Sequence, residues 1–443
     1  MTITLPQDVK FILNTLQNAG YEAYAVGGCV RDSILGRIPD DWDITTSAKP
    51  LEVKELFPKS FDTGIQHGTI TVLINHVGYE VTTYRIDGEY EDGRHPKQVQ
   101  FTPNLIEDLK RRDFTINAMA YNDEEGLVDC FEGLKDIENK VIRCVGDPYE
   151  RFNEDALRIM RAVRFAAQLG YDIDVTTKQA VRDLAPNLSK ISVERINVEL
   201  TKLLVSKHPE MMRDLYEVGI TAIVLPEFDL TMKTEQNNPH HCYNVGEHTI
   251  HALMNVREDK VLRLAALLHD FGKPQCKTTG ESGRDHFYGH PAVSEELAKA
   301  ILRRLRYDND TIAKVSRLVL YHDYRMGDGR KGTRKAMSKV GEDLFDMLLE
   351  LQHADILAQS DYGREEKLEN LSRVRKDVEA IRAQSECVSL KTLAVTGNDL
   401  IHAGMKPGKE IGETLTRLLE VVLENPERNT KEELLELVKK QNI

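Results

Sequence analysis

The sequence predicts an α+β chain: a small mixed α/β head followed by a remainder that is mostly all-α. Three observations carry that expectation. Short β-branched and aromatic runs (Ile70 to Ile74, Tyr79 to Arg85, Gln98 to Phe101) are confined to residues 1–145. From about Glu150 onward apolar residues recur at helical spacing, as at Ala156, Ile159, Met160, Val163 and Ala167. A length of 443 residues exceeds one compact core and points to about three domains. Polar stretches at Thr234 to Asn244 and Gln384 to Leu390 punctuate the helical part, which gives segments 1–145, 146–233, 234–383 and 384–443.

In the head, Tyr24-Ala25-Val26 reads as a short buried strand. Gly27-Gly28 follow, where missing Cβ atoms let the backbone approach a triphosphate, with Arg31 in the next turn to hold it. Asp41-Trp42-Asp43 comes next. In an extended strand alternate side chains share a face, so the two carboxylates converge while Trp42 points away. Two hard oxygen ligands with open positions suit magnesium and substrate phosphates, and a second ion about 4 Å away would clamp the attacking and leaving oxygens. The predicted order is strand, tight turn, helix, strand. Singly, Asp-x-Asp is a common strand end and Gly-Gly a common turn, so their adjacency carries the signal. Glu80, on a strand that can lie beside these, is a third acidic candidate, although its spacing also fits an ordinary solvent-facing strand glutamate. Arg111-Arg112-Asp113 precedes a helix start, where Asp113 can cap amides and Arg112 can reach a phosphate; a plain charged helix entrance fits the same run.

Further on, Glu154-Asp155-Ala156-Leu157-Arg158 puts Asp155 and Arg158 three apart, on one helix face. A carboxylate beside a guanidinium imitates a base edge. Cytosine and adenine both offer an amino donor next to an acceptor nitrogen, while uracil and guanine reverse the order, so one pair admits C and A and refuses U and G. An ordinary i,i+3 surface ion pair has the same spacing. Arg161 and Arg164 continue the series, each three-residue step turning about 60° back, so Arg164 should lie nearly opposite Asp155 and suit phosphate or structural contact.

The formal net charge of −13 excludes a surface coated in positive charge for bulk nucleic-acid binding, so any RNA site is local. Basic clusters stand at Lys110-Arg111-Arg112, along Arg158, Arg161 and Arg164, at Arg303-Arg304-Arg306 and at Arg330-Lys331-Arg334-Lys335; the last two read as solvated faces. Six scattered cysteines without Cys-x-x-Cys read as buried thiols in a reducing cytosol. No basic-flanked leader opens the sequence and no apolar run is long enough to span a bilayer, so a cytoplasmic chain without membrane contact is expected.

Together these runs resemble the class II tRNA nucleotidyltransferase and bacterial poly(A) polymerase family, specifically its CCA-adding enzymes, and the likeness covers nearly the whole chain. Gly27-Gly28-x-x-Arg31-Asp32 with Asp41-x-Asp43 is similar to the catalytic motif, and Arg111 to Ala118 to the ribose and phosphate motif. Glu154-Asp155-x-x-Arg158 is similar to the amino-acid template, Glu194-Arg195-x-x-x-Glu199 to the neck-stabilising motif, and Thr396 to Gly408 to the tRNA-gripping tail. The resemblance implies that Asp41 and Asp43 hold Mg2+, and that Gly28, Arg31, Arg112, Asp155, Arg158, Arg161 and Arg164 contact the incoming nucleotide. It implies a catalytic head, a helical neck, an HD domain and a tRNA-binding tail over the four segments, adding C and A to tRNA 3′ ends from CTP and ATP. The glycine-punctuated stretch Tyr84 to Pro96 looks like a loop that C-only members lack, favouring full CCA or A addition. An A-adding enzyme or a poly(A) polymerase is the alternative within the class, the latter disfavoured by an acidic chain without a basic extension. A nucleotide phosphohydrolase whose head merely docks tRNA is the alternative from another class.

A second pattern combines His248, His269-Asp270 and Asp355, mixed ligands on separate helices that can converge on a divalent metal. His269-Asp270 follows the apolar helix Leu262 to Leu268 and precedes the helix exit Phe271-Gly272-Lys273-Pro274. This resembles the HD metal-dependent phosphohydrolase domain, and His290 and His322 fall where its two-metal members place extra ligands. The resemblance implies phosphatase or phosphodiesterase activity on nucleotide or RNA ends, with Mg, Mn, Ni or Fe as the metal. His240, His241, His251 and His286 read as loop or surface residues.

Overall fold

The computed structural model describes residues 1–88, 99–327 and 329–440 and divides into two compact units, Met1–Pro226 and Glu227–Ile443. The strands of the first unit's head include β1 (Ala23–Val26), β2 (Ile44–Thr46), β3 (Ser60–Gly64), β4 (Thr69–Ile74), β5 (Val77–Thr83), β6 (Arg85–Asp87), β7 (Val99–Phe101), β8 (Met119–Asn122) and β9 (Gly126–Asp129). Seven form one sheet in the order β3-β4-β5-β2-β1-β8-β9, and β6 pairs with β7. Ile70 to Ile74 lies in β4, Tyr79 to Arg85 spans the end of β5 and the start of β6 with Tyr84 between them, and Val99 to Phe101 is β7; Gln98, and the part of Tyr84 to Pro96 from residue 89 on, lie outside the described residues.

β1, β2 and β8 are buried throughout, as apolar strands at a sheet centre must be. The helix Gln7–Asn18 adds Val9, Ile12, Leu13 and Leu16 to the core, one stripe of its surface. Within the seven-stranded sheet β2 and β5 pair in parallel, and their register, Ile44 opposite Val81, sets Asp43 against Glu80 one step earlier. Asp41 to Asp43 are not in the strand, as the spacing predicts, but in the irregular stretch just before β2. Asp43 is nonetheless tied to the sheet, because its carbonyl accepts the Val26 amide at 3.0 Å.

From Pro148 on the first unit is mostly helical, including Pro148–Glu154, Leu157–Leu169 and Val193–Leu204, with one short strand, Asp172–Ile173, paired in parallel with Val141–Ile142. The expected continuous helix through Glu154 and Arg158 is broken. Asp155 is extended (φ −136°, ψ 103°) between two helices, and its Oδ1 accepts the Leu157 amide at 3.0 Å. A short carboxylate competes for free amides at a helix start, which explains why the helix restarts there.

The second unit packs helices Val245–Met254, Lys260–Leu268, His290–Arg304, Asn309–Tyr321, Gly329–Val340 and Glu342–Leu357, with Arg364–Ala383 and Lys409–Glu424 following. Its last part has its own apolar cluster, with Leu400, Leu418, Val422 and Leu434 buried together. In the basic run at 330–335, Arg330 and Lys331 are exposed as expected, but Arg334 is not part of a solvated face. Arg334 is 5% exposed, donates to the Leu423 carbonyl at 3.0 Å and pairs with Glu386 at 2.5 Å, while Lys331 and Lys335 pair with Glu424. The expectation of six buried thiols also needs correction: Cys29, Cys144 and Cys387 are buried, but Cys130 and Cys242 are exposed. Among the described residues no helix is long and apolar enough to cross a membrane.

Candidate active site and metal centre

At the head site, Gly27 ends β1 at φ 85° and ψ −129°, a conformation that excludes most side chains, and the helix Gly28–Ile34 begins at once. A Cβ at Gly27 would stand 3.1 Å from Arg112 Nη1, so that guanidinium lies directly against the turn. Asp41, Asp43 and Glu80 gather beside it. Partial desolvation and then repulsion from Asp43 and Asp41 raise the Glu80 pKa. Asp43 is raised by desolvation and by Asp41, against the pull of Arg112. Three carboxylates gathered at one point, two of them with raised proton affinity and all open to solvent on their outer side, form a site that a small hard cation relieves.

Behind the turn runs a chain of charge-assisted bonds that sequence spacing does not reveal. Arg31 grips Asp32 through Nε (2.9 Å) and Nη2 (2.8 Å), and its Nη1 donates to Asn117 Oδ1 at 2.7 Å. Asn117 Nδ2 donates to Asp113 at 3.1 Å, and Arg161 pairs with the other Asp113 oxygen at 2.6 Å. Against the desolvation that would raise it, Arg161 and Asn117 hold the Asp113 carboxyl well below the usual range. Arg161 approaches Glu199 at 3.8 Å, and Arg164 Nε donates to Glu199 at 2.8 Å. The Phe165 ring lies under three guanidinium groups, 5.1 Å from Arg31, 5.2 Å from Arg161 and 3.5 Å from Arg164. Arg161 and Arg164 are therefore braces within the fold. Asp108, absent from the sequence reading, is fully buried and anchors Arg111 at 2.7 Å and Arg112 at 3.5 Å; its place three and four residues before two arginines on a helix was the available signal.

The two residues read as a base-recognising pair are joined by a backbone bond, Arg158 N–H to the Asp155 carbonyl at 3.0 Å, but among the described residues their side chains are paired elsewhere. Asp155 pairs with Arg195 at 2.7 Å, and Arg158 pairs with Glu154 at 2.7 Å while donating to the Arg111 carbonyl at 2.9 Å. Each is thus held in place by a separate partner, and Arg195 and Glu199, both from the run at 194–199, tie the helix Val193–Leu204 to this region.

In the second unit, His248, His269, Asp270, His290, His322 and Asp355 come together. Asp270 Oδ2 lies 3.4 Å from His248 Nε2 and 3.2 Å from His269 Nε2, and its Oδ1 lies 3.3 Å from His290 Nε2 and 3.5 Å from His322 Nε2. Asp355 Oδ1 is 2.8 Å from His248 Nε2. All four histidines place Nδ1 against a backbone carbonyl, those of Ala358, Ala266, Phe287 and Val319, at 2.7 to 3.2 Å. A carbonyl only accepts, so each Nδ1 carries a proton and each Nε2 is turned toward one carboxylate, the orientation metal-ligating histidines show. Neither Asp270 oxygen finds a well-aligned hydrogen bond among the described residues, although Lys273 Nζ stands 2.7 Å from Oδ2. Burial would raise the Asp270 pKa, but His269 and Lys273 outweigh it and keep the carboxylate ionised. Donor set, fixed tautomers and orphaned oxygens all fit divalent cations, with Asp270 able to bridge two.

A cavity of about 730 Å³ opens over this cluster, lined by Lys273, Tyr288, Arg325 and Lys367 among others. His240, His241 and His286 line it too. His241 is not a surface residue: its ring meets His248 edge-on at 5.4 Å, its Nδ1 is buried without a partner among the described residues, and burial, then Lys273 and His248, push its pKa down to about 3. His251 stacks on Tyr243 at 4.2 Å, away from the cluster.

Acidic groups before β2 and on β5, gathered beside the glycine turn and Arg112, mark the chain as a nucleotidyltransferase. Comparison with known proteins agrees. Residues 23–143 match the family model "Poly A polymerase head domain", 170–232 match "Probable RNA and SrmB- binding site of polymerase A", and 288–438 match "tRNA nucleotidyltransferase domain 2 putative". A CCA-adding enzyme of Levilactobacillus brevis is 37% identical over 93% of this chain and 92% of its own length. Another, from Streptococcus suis, is 35% identical over 98% and 96%. The crystal structure of the Bacillus stearothermophilus CCA-adding enzyme in complex with CTP superposes with a TM-score of 0.71 at 29% identity, covering 99% of this chain and 98% of that one. The chain belongs to the CCA-adding enzyme family.

Proposed function

We propose that the chain adds C and A to the 3′ end of tRNA from CTP and ATP, without a nucleic-acid template. The convergence of Asp41, Asp43 and Glu80 beside the Gly27-Gly28 turn and Arg112, in a member of this family, carries the reading. Asp41 and Asp43 would hold magnesium, with Glu80 adding a third carboxylate. A bound divalent ion supplies activation of the 3′-hydroxyl and charge stabilisation at the transferred phosphoryl group. The chain's own part is positioning. Gly27 and Gly28 admit the triphosphate against the backbone, Arg112 neutralises it, and Asn117 and Asp32 hold the Arg31 charge at the turn. Asp155 and Arg158 read the base, oriented by Arg195 and Glu154, and Arg161 and Arg164 act at one remove through Asp113 and Glu199. The tRNA 3′-oxygen bonds to the α-phosphorus, the bond to the bridging oxygen breaks, and pyrophosphate leaves.

We assign residues 1–145 to the catalytic head, 146–233 to the neck, 234–383 to the HD domain and 384–443 to the tRNA-binding tail, in the cytoplasm, where six unpaired thiols are stable. Supplying tRNAs that end before C, after one C and after CC, each with labelled CTP or ATP, tests the reading. Extension of all three supports CCA addition, A addition to the CC end alone identifies an A-adding enzyme, and A added to many RNAs identifies a poly(A) polymerase.

Asp270 favours a second activity. Its carboxylate, ringed by four histidine nitrogens beneath a cavity lined by Lys273, Arg325 and Lys367, supports hydrolysis of phosphate esters on nucleotide or RNA ends with one or two divalent ions. His248, His269, Asp270 and Asp355 are the proposed core ligands, His290 and His322 the second set. An Asp41→Ala chain that loses incorporation and keeps hydrolysis separates the two sites; unchanged behaviour in both assays would remove Asp41 from the transfer site and overturn this reading of the head.

A further inference from the structure

The second unit has another cleft, of about 610 Å³, between the helices His290–Arg304, Asn309–Tyr321 and Gly329–Val340, and it shares no lining residue with the cavity over the His/Asp cluster. Its charged lining is Lys299, Arg303, Arg317 and Lys339 against one carboxylate, Glu295. Lys299 is already matched, to Glu295 at 2.7 Å and Glu296 at 3.0 Å. Arg303, Arg317 and Lys339 are exposed, and among the described residues none has an ion pair. Arg317 donates only weakly to the Val340 carbonyl at 3.4 Å, and Lys339 Nζ lies 5.2 Å over the Tyr324 ring. Neighbouring basic residues on the same helices are matched: Arg304 pairs with Glu227 at 2.6 Å, and Lys331 and Lys335 with Glu424. The run Arg303-Arg304-Arg306 is exposed throughout, as expected, with Arg304 engaged by Glu227 and Arg303 lining the cleft. Ser316, 3% exposed and also lining the cleft, has a hydroxyl without a hydrogen-bond partner among the described residues.

Three unmatched cations on one concave surface repel one another, and in a chain of net charge −13 they make a local basic site. We infer that this cleft grips the phosphodiester backbone of the tRNA, a proposal that rests on the tRNA reading above. Long side chains spread over three helices suit successive phosphates of a strand, whereas a single small anion is held by groups converging on one point.

The test uses the full-length chain with Arg303→Gln and Lys339→Gln together, both exposed and outside the catalytic machinery, alongside a charge-conserving Arg303→Lys and Lys339→Arg pair. Labelled tRNA binding is measured over a range of salt concentrations, with KM for tRNA and for CTP. The Gln pair should weaken tRNA binding about tenfold and flatten the slope of log affinity against log salt by about two. The KM for CTP and kcat should stay as they are, and the charge-conserving pair should keep most of the affinity. Unchanged affinity and slope in the Gln pair would overturn the inference, as would inorganic phosphate or ATP binding that needs these residues while tRNA binding does not. If the unaltered chain extends no tRNA, the functional reading fails instead, and the binding data still judge the cleft.

Discussion

Replacing Glu199 by alanine should destabilise the first unit well beyond the effect of losing a surface charge. Glu199 is 4% exposed and accepts from Arg164, itself 5% exposed, at 2.8 Å, with Arg161 at 3.8 Å. Without it, Arg164 faces one neutral amide, Gln168 at 2.7 Å, and the Phe165 ring. Breaking a buried pair by removing one partner costs about 3–5 kcal/mol, because the other charge stays behind uncompensated. For a unit of this size each kcal/mol moves the midpoint by about 2–4 °C, so its transition should fall by roughly 10 °C in calorimetry. Arg164→Met should remove most of that cost when combined with Glu199→Ala, since it removes the orphaned charge. Arg161 also loses a neighbour, so KM for CTP and ATP should rise. A loss below about 1 kcal/mol, or an equal loss in the Arg164→Met background, would refute the claim that Glu199 compensates a buried cation.

Asp41→Asn should abolish incorporation yet raise the melting temperature in EDTA, because Asp41 raises the proton affinity of Asp43 and Glu80 by repulsion; a lowered melting temperature would contradict this. Asp270→Asn should lower bound metal, measured by elemental analysis, and abolish phosphate-ester hydrolysis while CMP incorporation continues; full metal occupancy would rule out Asp270 as a bridge. Asp113 has a depressed folded pKa, so the stability it contributes is complete above the unfolded carboxylate value of about 3.9 and disappears as pH falls toward the folded value. Urea unfolding should therefore show Asp113→Asn far weaker than the unaltered chain near neutrality, with the gap closing below about pH 3; a gap independent of pH would remove the linkage.

Much of this was legible in local pattern. Alternation and β-branching marked β4, β5 and β7, and the glycine pair marked the turn at Gly27, because strand period and left-handed backbone are properties of a few adjacent residues. The ordered histidines and aspartates marked a second centre through residue type. Local pattern misled at Asp155, where helical spacing assumed an unbroken helix and the side chain instead serves the start of the next one. It misled at Arg334 and His241 as well, which look like surface residues until distant helices cover them.

The sequence by itself determined the α+β class, the order of elements and the residue types that carry the chemistry, since these follow from period, turn preference and ligand chemistry along the chain. Tertiary structure alone decided the partners: Asp43 against Glu80 through a parallel register, Arg31 joined to Asn117 and on to Glu199, and one aspartate set among four histidines from separate segments. Charge pairing and metal geometry depend on distances of a few ångströms between groups tens of residues apart, and only the packed fold sets those distances.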